Sequence, residues 1–463
     1  MQERRLPERP QLHGRLLRAL VVGAALAALA GARDARADGA FADSQRLFLP
    51  PERPAQLVLA TNFGLVTSDD GGRRWSWVCE QPLAPDATAY QLGPPPARRL
   101  FAIARGAAVH TDDLGCTWSA GSLPGDARAL DVFPDSNDAS RVYLGAGVGP
   151  ASEQRTVLLV SRDGGQSFPT VLYTPPVGAV ILGVESTGTF TIYLSLRQGP
   201  GTHPHLARSD DGGQSWQLFD VEATTGASDL GIIAADGRRL YLRVRGFPDE
   251  TLAISDDGGA TVRVAARIPS GVLSAFGRRA DGTLLIAGIN SSGGVVLSSA
   301  DGLAWAPWIT APLVRDFAER GGILHVLGDD ARDRFTIAAS ATAGEDGTGL
   351  RRLMGFADVT SVRACAVATC AAACQAEVAR GTFAASVCDA PPPSPDAGTD
   401  ARVDAPSTTP APRSGGCSFG GPPACSGLVV LGLLAIRVGS RTGRCRTRPC
   451  SRRRSPSVGI DTP

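Results

Sequence analysis

The stretch Ser68-Asp69-Asp70-Gly71-Gly72-Arg73-Arg74-Trp75 decides how the chain is read, because it returns. Its skeleton is Ser or Thr, one residue, Asp, one residue, Gly, two residues, then an aromatic. The same skeleton stands at Thr111, Asp113, Gly115 and Trp118, at Ser161, Asp163, Gly165 and Phe168, and at Ser209, Asp211, Gly213 and Trp216. A fifth copy, Ser255, Asp257 and Gly259, has Val262 in the aromatic place, and a sixth, Ser299, Asp301, Gly302 and Trp305, is one residue short. Ser340, Thr342 and Gly344 have the spacing of a seventh copy that has lost its acid and its aromatic. Successive aspartates lie 43, 50, 48, 46 and 44 residues apart, with 41 more to Thr342.

Each copy reads as a self-contained hairpin turn: Asp and Ser/Thr side chains bond the turn's own backbone, and Gly takes the positive φ a tight turn needs. Short strand-like runs flank the copies, such as QLVLAT before the first, TVLLVS before the third and RLYLRVR before the fifth, and helical periodicity is nowhere sustained inside residues 44–360. A period near 45 residues is that of four-stranded propeller blades. The expected fold is therefore all-β, a seven-bladed β-propeller over residues 38–360, with residues 46–67 supplying the inner strands of the first blade. The repeated residues resemble the Asp-box, or BNR, repeat of sialidases, sortilin-type receptors and related secreted propellers. That resemblance implies a structural role for the turns at the blade edges and no chemistry in them.

Composition agrees and excludes. Glycine (55) and proline (34) are abundant while hydrophobic residues still reach 43%, so the chain is turn-rich yet able to bury a core. No lysine occurs, and all 46 basic residues are arginine. Walker A, pyridoxal Schiff-base and kinase-type phosphate chemistry are thereby excluded.

Residues 1–37 read as a signal peptide, with Arg15 and Arg18 before an uncharged run from Ala19 to Ala32 and the small-residue pattern Ala35-Arg36-Ala37; cleavage is expected after Ala37. Residues 390–416 form a Pro/Ala/Asp/Thr linker that cannot bury a core. Residues 417–463 hold Cys417, an apolar run from Gly427 to Ile436 and eight arginines from Arg437 to Arg454. That order resembles the C-terminal sorting segment called MYXO-CTERM and implies display at the outer cell surface, through the export and sorting machinery, with the segment contacting the cell envelope. Both basic ends leave an acidic body between them, which argues against nucleic acid as a partner.

The sialidase likeness demands an arginine triad, a tyrosine nucleophile with a glutamate, and an acidic aspartate. Its Arg-Ile-Pro element occurs only as Arg267-Ile268-Pro269, between the fifth and sixth repeats, in the wrong blade. Tyr193 and Tyr241 sit in apolar runs and read as core residues. No G-x-S-x-G or H-E-x-x-H pattern is present, and His203-Pro204-His205 lacks a third metal ligand. No catalytic, cofactor-binding or metal residue is assigned, and no cofactor is expected. The favoured reading is a non-enzymatic module binding a protein or glycan at one propeller face; a secreted glycoside hydrolase with a divergent site is the alternative. Convergence of Asp, Glu, Tyr and Arg at the central channel would favour the enzyme.

Ten cysteines in an exported chain point to disulfides. Cys79 and Cys116 lie in adjacent blades and are expected to pair. Cys365, Cys370, Cys374 and Cys388 are expected to form two bridges within a small cap over residues 361–389, with three pairings open.

Overall fold

In the computed structural model, described for residues 42–80, 88–95, 99–150, 154–197, 204–221, 229–246, 248–308, 311–340 and 349–389, the chain folds into seven consecutive four-stranded antiparallel sheets. Blade one consists of Ser44–Phe48, Leu57–Thr61, Gly64–Ser68 and Trp75–Val78, paired in chain order. Blade two runs from Thr88–Leu92 to Ser119–Ala120, blade three from Arg128–Pro134 to Thr170–Tyr173, and blade four from Val180–Thr187 to Gln217–Asp220. Blade five spans Asp229–Asp236 to Arg263–Ile268, blade six Gly271–Arg278 to Ala306–Pro307, and blade seven Asp316–Arg320 to Arg351–Met354. First strands of neighbouring blades touch or are joined by side-chain bonds, including those of blades one and seven, so they ring the central channel. The expected seven-bladed propeller is the fold observed. The signal, linker and sorting segments lie outside the described residues, as do Thr342 and Gly344 of the seventh copy.

The middle strands explain the apolar runs of the sequence. Leu57–Thr61, Gly64–Ser68 and Leu100–Ala104 are buried along their whole length, because each sheet is covered on both faces by the next and the preceding blade. The core is accordingly divided into clusters between blades. One holds Val58, Leu65, Tyr90 and Leu100 from blades one and two; another holds Phe101, Val132, Leu144 and Phe168 from blades two and three. Tyr193 and Tyr241 are core residues of this kind, 1% and 2% exposed.

The first strands carry bulges. Register shifts occur between Ser44 and Arg46, Ile181 and Gly183, Ile232 and Ala234, and Leu273 and Ala275. Such an extra residue bends a strand and re-aims its side chains, here on the strands nearest the axis.

The chain end closes the ring. Strand Val359–Val362, which runs across the boundary expected at residue 360, adds in parallel to the outer strand Trp75–Val78 as a fifth strand of blade one. A helix, Val367–Arg380, follows. Phe383 packs edge-on against Trp77 with ring centroids 5.2 Å apart and reaches Phe63 at 5.8 Å. Three disulfides fasten this cap, but not as expected: Cys79 bonds Cys370, Cys116 bonds Cys365, and Cys374 bonds Cys388. The pairing of Cys79 with Cys116 is thus overturned, and only one bridge is internal to the cap. The reason is the added strand. It delivers the cap along the outer edge of blade one, where Cys370 comes within 5.5 Å of Cys79 (Cα to Cα) and Cys365 within 5.7 Å of Cys116 in the turn of blade two.

Candidate functional site

The six turns share one bonding scheme. In each, the Ser or Thr hydroxyl donates to the aspartate two residues on and accepts the glycine N–H: Ser161 Oγ lies 2.6 Å from Asp163 Oδ1, and Gly165 N donates to Ser161 Oγ at 2.8 Å. The equivalents at Ser68, Thr111, Ser209, Ser255 and Ser299 span 2.7 to 3.1 Å for the hydroxyl bond. The aspartate in turn accepts downstream backbone N–H groups and, in four copies, the hydroxyl of Thr117, Ser167, Ser215 or Thr261. That hydroxyl, just before the aromatic place, is a recurring element that the sequence reading left out, although T, S, S and T at one register were legible. At Asp163 burial opposes ionisation, yet the bonds from Ser161 and Ser167 prevail and hold its pKa down at about 2. The Ser or Thr hydroxyl and the aspartate carboxylate of each turn are thus engaged with the turn's own groups.

The second to sixth turns also dock on the preceding blade. A Cβ placed at Gly165 would lie 2.6 Å from Phe101 of blade two, at Gly213 2.5 Å from Leu172 of blade three, and at Gly259 3.1 Å from Leu206 of blade four. Arginines of the preceding blade cap the turn carbonyls: Arg99 Nη1 donates to Gly164 O at 2.6 Å, Arg208 Nη1 to Asp257 O at 3.1 Å, and Arg263 Nη1 to Gly302 O at 3.2 Å. A planar fork with several donors suits adjacent carbonyls better than an ammonium would.

Polar groups that are not consumed in this way meet at the channel. Arg46, on the first strand of blade one, is exposed and donates to Gln91 Oε1 of blade two at 2.7 Å. It is also the cation acting on three half-buried carboxylates from three other first strands: Asp131 of blade three, Glu185 of blade four and Asp316 of blade seven. Burial pushes Asp131 up to about 6 and Glu185 up to about 7, with Arg46 pulling both the other way. Asp316 is raised for the same reason, although Leu47 N and Phe317 N donate to it at 3.0 and 2.9 Å. Among the described residues the Glu185 carboxyl has no hydrogen-bond or ion-pair partner. None of these five was singled out from the sequence. Each stands among other polar residues in a first strand, as in SQRLF, TAYQL and VILGVEST, so nothing local marks it, and which strand faces the axis is a matter of tertiary arrangement.

The arrangement offers one fixed cation, one amide and three carboxyls of differing protonation from five blades. At neutral pH it can donate and accept hydrogen bonds at once. Arg267, the arginine of the sole Arg-Ile-Pro, instead lies exposed on the outer strand of blade five, away from this group. His205 pairs with Asp220 at 2.6 Å, and His203 lies outside the described residues. No group of three or more His, Cys, Asp or Glu side chains suited to a metal occurs among the described residues.

The chain matches no established protein-family profile and no curated protein sequence. Several solved structures are similar to it at low identity. YCF48 bound to D1 peptide shares 20% identity over 51% of this chain and 70% of its own, with a TM-score of 0.35. YCF48 from Cyanidioschyzon merolae shares 14% over 62% and 93%, with a TM-score of 0.43. The GH74 enzyme of Niastella koreensis shares 14% over 66% of this chain and 56% of its own, with a TM-score of 0.36.

Proposed function

We propose that the protein is an exported, cell-surface propeller of the Asp-box kind that binds a protein or glycan ligand, without catalysis, at the mouth of its central channel. The observation that supports this most is the meeting of Arg46, Gln91, Asp131, Glu185 and Asp316 on five first strands. Concave polar groups held by rigid strands are what a ligand pocket needs, since their geometry is set before binding. The turns, by contrast, are occupied with their own backbone and serve as scaffolding. Export fits three disulfides within a body of this size, because such bridges persist in oxidising compartments. In this reading the signal peptide is removed after Ala37, and the segment 417–463 sorts the propeller to the outer surface beyond the 390–416 linker.

Screening the folded body against arrayed peptides and oligosaccharides tests the reading. Any ligand found should bind the Arg46→Ala variant at least tenfold more weakly. Unchanged binding by that variant would remove the channel from the account. Truncation after Ser414 should release a folded propeller into the medium, and continued cell association of the truncated protein would defeat the anchoring role.

A hydrolase is the second reading, favoured by one observation. Asp131 and Glu185, on neighbouring blades, are held near neutral pKa, and a carboxylic acid still protonated at pH 6 to 7 is what a glycosidic leaving group requires. Turnover of a polysaccharide that Glu185→Gln abolishes would establish it. Absence of turnover across a polysaccharide panel would leave the binding module alone.

A further inference from the structure

Blades one and seven are each complete within one end of the chain, so no sheet is shared between the two ends in the usual sense of a strand exchanged into an unfinished blade. Blades one and seven touch directly, with Leu47 N donating to Asp316 and Arg320 to Gln56 O, and residues 359–389 fasten that seam further. Strand Val359–Val362 lies on the edge of blade one, Thr360 Oγ1 donates to Trp75 O at 3.1 Å, and Arg363 Nη1 reaches Thr67 Oγ1 and Asp69 Oδ2, both at 3.0 Å. The covalent part of the closure is two bridges, Cys79 to Cys370 and Cys116 to Cys365, which span 291 and 249 residues. They turn an open string of blades into a closed loop. The two bridges differ in access. Cys79 and Cys370 are 2% and 0% exposed, under the packing of Phe383 and Trp77, whereas Cys365 is exposed and Cys116 half-buried.

We propose that residues 359–389 form a thiol-opened strap on the ring, with Cys116–Cys365 as the latch that an external dithiol reaches and Cys79–Cys370 as the lock that it does not. The step is ordinary thiol–disulfide exchange. A dithiol thiolate attacks Cys365 Sγ, the Cys116–Cys365 bond breaks, and a mixed disulfide forms. The second thiol of the reagent then displaces Cys365. The reagent leaves as a cyclic disulfide, and Cys116 and Cys365 end as two thiols, having taken up two electrons and two protons. Opening the latch frees the start of the strap from the blade-two turn, where Cys116 sits between Gly115 and Thr117. The strap's buried half stays seated by its aromatic contacts and by the lock. This inference stands independently of the binding reading.

Graded dithiothreitol on the full chain, followed by differential alkylation and peptide mass spectrometry, tests it. Cys116 and Cys365 should be labelled at reductant concentrations at least tenfold below those that expose Cys79 and Cys370. At the lower concentration, amide exchange over residues 359–366 should quicken at least tenfold while blades four and five stay unchanged. A Cys116→Ser, Cys365→Ser double variant should show the same local quickening with no reductant. Simultaneous reduction of both bridges, or selective reduction that leaves exchange over 359–366 unaltered, would overturn the proposal.

Discussion

Two aspartates and a glutamate show opposite consequences of where a carboxyl sits. Asp163, near the surface, gains hydrogen bonds only when ionised, so its folded pKa falls to about 2 while the unfolded chain keeps the ordinary value near 4. A depressed carboxyl of this kind stabilises the fold above the unfolded pKa and loses that effect as pH drops through the folded one. Asp257, held down at about 2 against burial by bonds from Thr261 and Ser255, behaves alike. Thermal stability should therefore fall as pH drops from about 4 to about 2, and Asp163→Asn should be less stable at pH 7 but lose less over that window. Glu185 works the other way. Its folded pKa, about 7, lies above the unfolded value, so over roughly pH 4.5 to 7 the unfolded state releases its proton first and stability declines as pH rises. Glu185→Gln should stabilise the fold at pH 7.5 relative to wild type by on the order of 2 kcal/mol, read as a raised melting temperature, and should change it little at pH 4. Equal effects at the two pH values would show that Glu185 is not held in its neutral form.

A turn in this ring has two tasks, to reverse its own hairpin and to seat its blade on the one before. Gly165 shows both. Its φ of +86° is a conformation that a side chain rarely adopts, and a Cβ there would strike Phe101 of the preceding blade. Gly165→Ala should cost about 2–3 kcal/mol from strain and overpacking together. Arg99→Ala should cost less, about 1 kcal/mol, since it leaves the Gly164 carbonyl open to water. Chemical denaturation of the two variants checks the order. If Arg99→Ala proved the worse of the two, arginine capping rather than close packing would be the main interblade contact. The degenerate sixth copy keeps the scheme despite its missing residue, because Asp301 accepts from Leu303 N and Ala304 N at 2.7 and 3.0 Å.

A closed ring must solve a problem that an open stack of repeats does not, which is how its last unit meets its first. Here the seam buries Leu47, Leu327, Ile337, Met354 and Phe356 together with cap residues Val359, Val362 and Phe383 in one cluster. Deleting residues 359–389 removes part of that cluster and both long bridges, and exposes Trp77. The truncated body should unfold in separate steps or aggregate, where the intact chain unfolds in one. Cys79→Ala with Cys370→Ala keeps the packing and leaves the ring closed through Cys116–Cys365 alone; by the chain-entropy argument, the lost bridge then closes only a residual loop of roughly 40 residues and contributes on the order of 4 kcal/mol, less any relaxation of the folded state. Calorimetry of that double variant under oxidising conditions measures the term.

Local information in the chain was enough for the blades. Ser68, Asp70, Gly72 and their repeats bond within eight residues of one another, so the turn chemistry, the spacing and hence the blade number could be read directly from the order of residues. The buried strands were legible for the same reason, as short apolar runs between turns. The disulfides were not. Cys79 and Cys370 are 291 residues apart, and their meeting depends on a parallel strand that forms only after seven blades have curved round to bring Met354 beside blade one. The channel group was hidden too: Arg46, Asp131, Glu185 and Asp316 are unremarkable within their own strands. Closure of the ring alone turns those strands to one axis, because the position of a side chain about that axis is a sum over all the blades between, and no local pattern carries it.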